Sequence, residues 1–164
     1  MKYERFEDVP VWQDGAAMSA DIFLLTEDRS FKNKGDIADQ LQRAGLSVPN
    51  NISEGFERGT TQELITYLYY ARGSAGEVRS ILHVMDRLPY FKHLGSQMSD
   101  LRSRAESVAR QLRGWADSLQ NTEIKGHRYL NEKTRRIDEQ KKRAEAFLKK
   151  LKDMTRKPED RSEI

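Results

Sequence analysis

Through most of the first 120 residues, apolar side chains recur every three or four positions with polar ones between them. That is the period of a helix. From about Val11 to Asp28, Trp12, Ala16, Ala20, Phe23 and Leu24 fall on one side. Met18, Ile22 and Leu25 widen the stripe, so this first helix is expected to be buried on more than one face. "SFKNKG" reads as a loop punctuated by Gly35. A second helix opens at Asp36 and carries Ile37, Leu41, Ala44, Val48, Ile52 and Phe56. A third, about Thr61 to Leu88, carries Leu64, Leu68, Ala71, Ala75, Val78, Leu82 and Met85. A fourth, about Ser96 to Leu119, carries Met98, Leu101, Ala105, Val108, Leu112, Trp115 and Leu119. Alternating steps of three and four in the last two are heptad seams, the mark of near-parallel helix packing. Short connections between them predict an all-α, antiparallel up-down four-helix bundle.

The second helix contains residues that do not favour helices. "LSVPNNISEGFERGTTQEL" places Pro49, Asn50 and Asn51 inside the stripe, which crosses them without losing phase. The helix is therefore expected to continue through Pro49 with a kink, Gly45 giving the backbone room to bend one turn upstream. Ser47, Asn50 and Asn51 can bond the freed backbone groups. Gly59 is expected to end the helix in the left-handed conformation. Thr60 then caps the third helix, with Glu63 completing a capping box. Gly73 and Gly76 stand in mid-helix at a cost of about 1 kcal/mol each relative to alanine. Close approach of another helix is the expected reason for them.

After about residue 122 the pattern changes. "NEKTRRIDEQKKRAEAFLKKLKDM" is helix-prone, with a thin apolar stripe and favourable i,i+4 pairs such as Glu139–Arg143 and Glu145–Lys149. The expected organisation is a bundle over 1–122, a charged helical extension over 123–155 and a disordered tail over 156–164. The charge is divided in the same way. Residues 1–124 carry 15 Lys/Arg against 18 Asp/Glu, whereas residues 125–164 carry 14 against 8. The net charge of +3 thus comes from the extension. Such an asymmetry marks either an interaction segment or a solvated, salt-bridged helix.

Composition removes several function classes. The chain has no cysteine, which excludes disulfides and thiolate metal sites. The N-terminus has no apolar signal-like region, and no run approaches the ~18–20 apolar residues of a membrane span. A cytoplasmic protein is expected. The three histidines are scattered, "GFERGT" lacks the Lys-Ser/Thr of a phosphate loop, and the serines have no evident base. No catalytic residue, metal, cofactor or small-molecule substrate is expected.

"QLQRAGLSVPNNISEGFERGTTQELITYLYYARGSAGEV", with "VWQ" at Val11–Gln13, resembles the small four-helix-bundle proteins encoded in intervening sequences of bacterial 23S rRNA genes. The accessory variability protein of diversity-generating retroelements belongs to the same family. The matching positions are Gln40, Leu41, Arg43, Ala44, Ser47, Val48, Pro49, Asn51, Ile52, Glu54 and Gly55, followed by Gly73-Ser74-Ala75. The resemblance implies a four-helix bundle, a ring-like homopentamer and no known catalytic residue. The retroelement relative is strongly basic and binds nucleic acid and a reverse transcriptase.

Two sets of site residues follow. The first is the motif of the second helix, Arg43, Ser47, Pro49, Asn51, Glu54, Gly55 and Arg58, in which Arg43, Asn51, Glu54 and Arg58 form a polar stripe on one side. It can serve as an intramolecular network, a subunit interface or a ligand site. The second is the basic extension: Lys125, Arg128, Lys133, Arg135, Arg136, Lys141, Lys142, Arg143, Lys149 and Lys150. With few aromatics among them, these would contact RNA or DNA phosphates electrostatically. The expected function is a non-enzymatic, oligomeric accessory or scaffold protein of a nucleoprotein complex. The alternative is a protein-interaction module with no nucleic-acid role.

Overall fold

The structure is a computed structural model, described for residues 3–121, 140 and 143–151. The chain divides into two compact units, residues 1–128 and 129–164. The first unit is all-α. Its four long helices are α1 (Pro10–Thr26), α2 (Ile37–Glu57), α3 (Thr61–Met85) and α4 (Gly95–Gln120). Each helix packs on its neighbours in the chain, and α1 closes against α4. In the second unit, residues 143–151 are helical.

The stripes of α2 and α3 are buried as their periods require. Leu41, Val48, Ile52 and Phe56 line the core, as do all seven seam positions of α3. In α4 the seam turns at its C-terminal end: Ala116 is buried, while Trp115 and Leu119 are partly buried against the core.

In α1 the expected stripe is buried only in part: its widening positions Met18, Ile22 and Leu25 face the core and Trp12 packs partly against it, but Phe23 and Leu24 do not. Val11, Gly15, Met18, Ser19, Ile22 and Leu25 are buried, while Phe23 is 42% and Leu24 64% exposed. The reason lies in small residues. A Cβ on Gly15 would sit 3.1 Å from Val48 Cγ1, and one on Gly45 would sit 2.7 Å from Ile22 Cδ1. The two helices close on each other glycine-first, and that approach selects which apolar side of α1 faces inward. Gly45 is therefore a contact glycine, set by Ile22.

The chain stays helical through Pro49, which is buried. Gly59 does not adopt the left-handed conformation; among the described residues the glycine with positive φ is Gly35, at 67°. Arg58 already leaves the helix in extended backbone, φ −66° and ψ 140°, so α2 ends by straightening. The cap of α3 is present. Thr60 Oγ1 accepts from the Glu63 amide at 3.2 Å and donates to Glu63 Oε2 at 2.7 Å. At the other end of the bundle, the α1–α2 and α3–α4 connections each form a short 3-10 turn, Arg29–Phe31 and Pro89–Leu94. Phe31 and Phe91 stack at 4.8 Å, and His93 Nε2 lies 3.1 Å from Asp28 Oδ1.

Candidate functional site

Ser47, Glu54 and Arg58 of the α2 motif reach α3. In an antiparallel hairpin, residues equidistant from the turn meet. Ser47 and Ser74 lie 13 and 14 residues from Thr60, and Glu54 and Tyr67 lie 6 and 7 from it. Both pairs are bonded. Ser47 Oγ and Ser74 Oγ are 2.9 Å apart, and Glu54 Oε1 accepts from the Tyr67 hydroxyl at 2.7 Å.

The first pair belongs to a chain whose proton directions can be assigned. Ser74 Oγ donates to the Tyr70 carbonyl at 3.1 Å, which uses its single proton. Ser47 must then donate to Ser74. Asn51 Nδ2 in turn donates to Ser47 Oγ at 2.9 Å and to the Ser47 carbonyl at 2.8 Å. The carbonyl lies in the turn of α2 that contains Pro49, so Asn51 supports the backbone there. The bonds run one way, Asn51 to Ser47 to Ser74 to Tyr70, and such chains reinforce themselves.

The second pair closes into a ring. Arg58 Nη2 donates to Glu54 Oε1 at 2.7 Å and to the Tyr67 hydroxyl at 3.1 Å. Its guanidinium lies 5.3 Å from the Tyr67 ring centroid, and Nη1 is 3.7 Å from Glu63 Oε1. Tyr67 and then Arg58 hold the Glu54 carboxyl below the ordinary carboxylate range by hydrogen bonding. The same bond to Glu54 raises the Tyr67 hydroxyl, because it favours the protonated phenol.

Gly55 sits between the two networks. A Cβ there would lie 2.6 Å from Tyr67 Cβ and 3.4 Å from Leu64 Cα. Arg43 is exposed and stands apart from these bonds. It lines, with Ser47, Asn51 and Glu54, a shallow groove of about 270 Å³. Pro49 faces α1: a Cβ on Gly15 would be 3.8 Å from its nitrogen. Tyr67 and Ser74 were not among the expected site residues. The equidistance rule about Thr60 identifies both.

In the extension, Lys125, Arg128, Lys133, Arg135, Arg136, Lys141 and Lys142 lie outside the described residues. The disordered tail expected over 156–164 also lies outside them. Arg143, Lys149 and Lys150 fall on the described helical segment and are exposed. Phe147 and Leu148 are exposed beside them. Among the described residues no group of three or more His, Cys, Asp or Glu is gathered as a metal would need. None of the helices described is long and apolar enough to cross a membrane.

An up-down four-helix bundle with an α2–α3 hairpin tied by one part-buried and one exposed polar pair defines the structural class. A model of the 23S rRNA-intervening sequence protein family matches residues 7–114, and the chain belongs to that family. A crystal structure from Bacteroides thetaiotaomicron, described as a protein with unknown function from the S23 ribosomal protein family, shares the fold. It aligns with a TM-score of 0.57 and 17% identity, over 65% of this chain and 97% of that one. No curated protein matches the sequence.

Proposed function

We propose that this protein is a non-enzymatic, self-associating bundle that serves as an accessory or scaffold of a cytoplasmic nucleoprotein complex. The observation that carries this reading is the closed bonding of the α2 motif. Ser47, Glu54 and Arg58 bond to α3 and Asn51 holds Ser47 from within α2, so the motif ties the hairpin together. Self-association is supported by the apolar side chains left on the outside of α1 and α2, Phe23 and Leu46, which border one shallow groove. Family resemblance makes a pentamer the expected assembly and a reverse transcriptase one candidate partner. The basic extension supplies the phosphate contacts.

Sedimentation of the full chain tests the first part. A multiple of 19.1 kDa, five-fold by expectation, supports it, and a monomer at micromolar concentration overturns it. Binding of labelled RNA and DNA across salt tests the second. Phosphate contact gives a steep loss of affinity with salt. Neutralising Lys141, Lys142, Arg143, Lys149 and Lys150 to Gln is expected to weaken it.

One observation favours the alternative of a protein-interaction module without nucleic acid. Phe147 is 64% and Leu148 57% exposed on the helical segment of the extension. An apolar edge of that kind suits a partner helix. Salt-insensitive capture by a protein partner, with no binding to RNA or DNA, is the result that would select it.

A further inference from the structure

Gly73 and Gly76 were expected to admit a neighbouring helix, and within the protomer they do not. A Cβ on either would meet nothing within 4 Å. Both lie on the floor of an open groove of about 490 Å³ between α3 and α4. Four arginines line its sides, Arg72 and Arg79 from α3 and Arg110 and Arg113 from α4, with Glu106 the one carboxylate in the lining.

The pairing of these charges is uneven. Arg79 lies 3.7 Å from Glu106 across the groove. Arg72 and Arg113 stand one on each helix in the lining of the same groove. Arg113 pairs instead along its own helix with Asp117 at 3.6 Å, and Arg110 with Glu106 at 2.9 Å. Arg72 has no ion pair among the described residues. Like charges lining one groove repel, and an anion between them removes that repulsion.

From this geometry we infer that the α3–α4 groove is a binding site for the phosphodiester backbone of a nucleic-acid strand. The guanidiniums are the donors, and the two glycines let the strand lie against the helix. Each guanidinium holds five N–H donors, and the ion pairs observed here engage only one or two of them. Arg72 to Arg79 spans about 10 Å of helix at ~1.5 Å per residue, room for more than one phosphate. A backbone with a charge on every unit pairs with Arg72 and adds to the existing ion pairs of the other three arginines whatever its sequence. The helix of a second copy is the rival occupant. It would bury these guanidiniums and would need carboxylates in register to compensate their desolvation. The site deepens the nucleic-acid part of the proposed function and places contacts on the bundle, apart from the basic extension.

The test uses the full chain and a fluorescein-labelled single-stranded RNA of about 20 nucleotides, with duplex DNA in parallel, from 50 to 300 mM salt. Arg72→Gln with Arg113→Gln is expected to weaken binding about tenfold at low salt. It should lower the slope of log K against log salt by about 1.4, or ~0.7 for each phosphate contact on a single strand. Gly73→Ala with Gly76→Ala should melt at a higher temperature than the wild type yet bind less tightly, because two methyl groups occupy the floor. A variant that is more stable and binds worse cannot owe its loss to misfolding. Wild-type affinity and slope in both variants overturn the groove. If the variant with neutralised extension then loses binding, the proposed function survives on the extension alone. If the wild type binds neither probe at 50 mM salt, both fall together. If the alanine pair changes the sedimentation coefficient and leaves RNA affinity intact, the groove is an interface between copies and the inference is wrong.

Discussion

Gly45 and Gly55 in α2 and Gly73 and Gly76 in α3 all lie within helices, Gly55 in the last turn, and their surroundings differ. Around the α2 pair the next helix is closer than a methyl group allows: Ile22 Cδ1 at 2.7 Å and Tyr67 Cβ at 2.6 Å from the respective Cβ positions. Around the α3 pair there is open space. Glycine lowers helix stability equally in either helix. In α2 that loss is offset by packing that only a bare Cα permits. In α3 a Cβ at either glycine would meet nothing within the protomer, and that open space is the floor of the proposed binding groove. The comparison separates residues that the fold requires from residues that it merely accommodates.

The sharpest way to break it is Gly55→Val. The added atoms would meet Tyr67 Cβ and the Leu64 backbone, neither of which can move without shifting α3. A loss of about 3 kcal/mol is expected, the upper end of ordinary overpacking. The urea midpoint reports it, and a loss below about 1 kcal/mol would mean that α2 and α3 are loosely held. Gly45→Ala should cost far less, because its near atom is the tip of Ile22, which can rotate.

The opposite sign is expected in α3. Gly73→Ala with Gly76→Ala should stabilise the isolated protein by about 2 kcal/mol, ~1 kcal/mol at each site from helix propensity alone. Urea unfolding of the double variant checks this. A destabilised double variant would show that another chain already rests on the groove in the free protein.

A smaller effect tests the bond chain. Ser47→Ala leaves one Asn51 donor and one Ser74 acceptor unmatched, and should cost about 1 kcal/mol. In a double-mutant cycle with Ser74→Ala, a coupling of about 0.5 kcal/mol or more is expected for residues in direct contact. Additive single effects would mean that the 2.9 Å bond contributes nothing to stability.

The same contrast explains what was legible in the sequence. The seams of α2 and α3 were, because one face of each is apolar and the other polar. The inward side of α1 was not. It is apolar on both sides, and the decision is made by Gly15 and Ser19, which carry no hydrophobic signal. Continuity through Pro49 was legible from the unbroken phase, while the departure of Arg58 into extended backbone was not. Gly59 advertised a left-handed cap, whereas the helix ends at that same place with Arg58 as its cap in extended backbone. The motif residues Ser47, Asn51 and Glu54 were found through the family resemblance, and Arg58 through its helical spacing from them. Their partners were missed because a stripe on one helix does not name its opposite; the turn at Thr60 does.

The smallest predicted effect concerns that ring and its dependence on pH. Compare wild type with Tyr67→Phe, which removes the leading hydrogen bond to Glu54. The folded-state pKa of Glu54 is depressed, so its contribution is present above the unfolded value of about 4.3 and is lost as pH falls through the lower folded value. The folded-state pKa of Tyr67 is raised. Its contribution is present below the unfolded value of about 10 and is lost as pH rises through the higher folded value. The difference in melting temperature between the two proteins should therefore be constant from about pH 5 to 9 and shrink on both sides. Both side chains are near the surface, so the plateau is expected to be low. No difference at any pH would mean that Tyr67 acts through ring packing against Tyr70, at 5.6 Å, which phenylalanine keeps, and that its hydroxyl is incidental. The α2–α3 contact would then rest on its glycine and the serine chain alone.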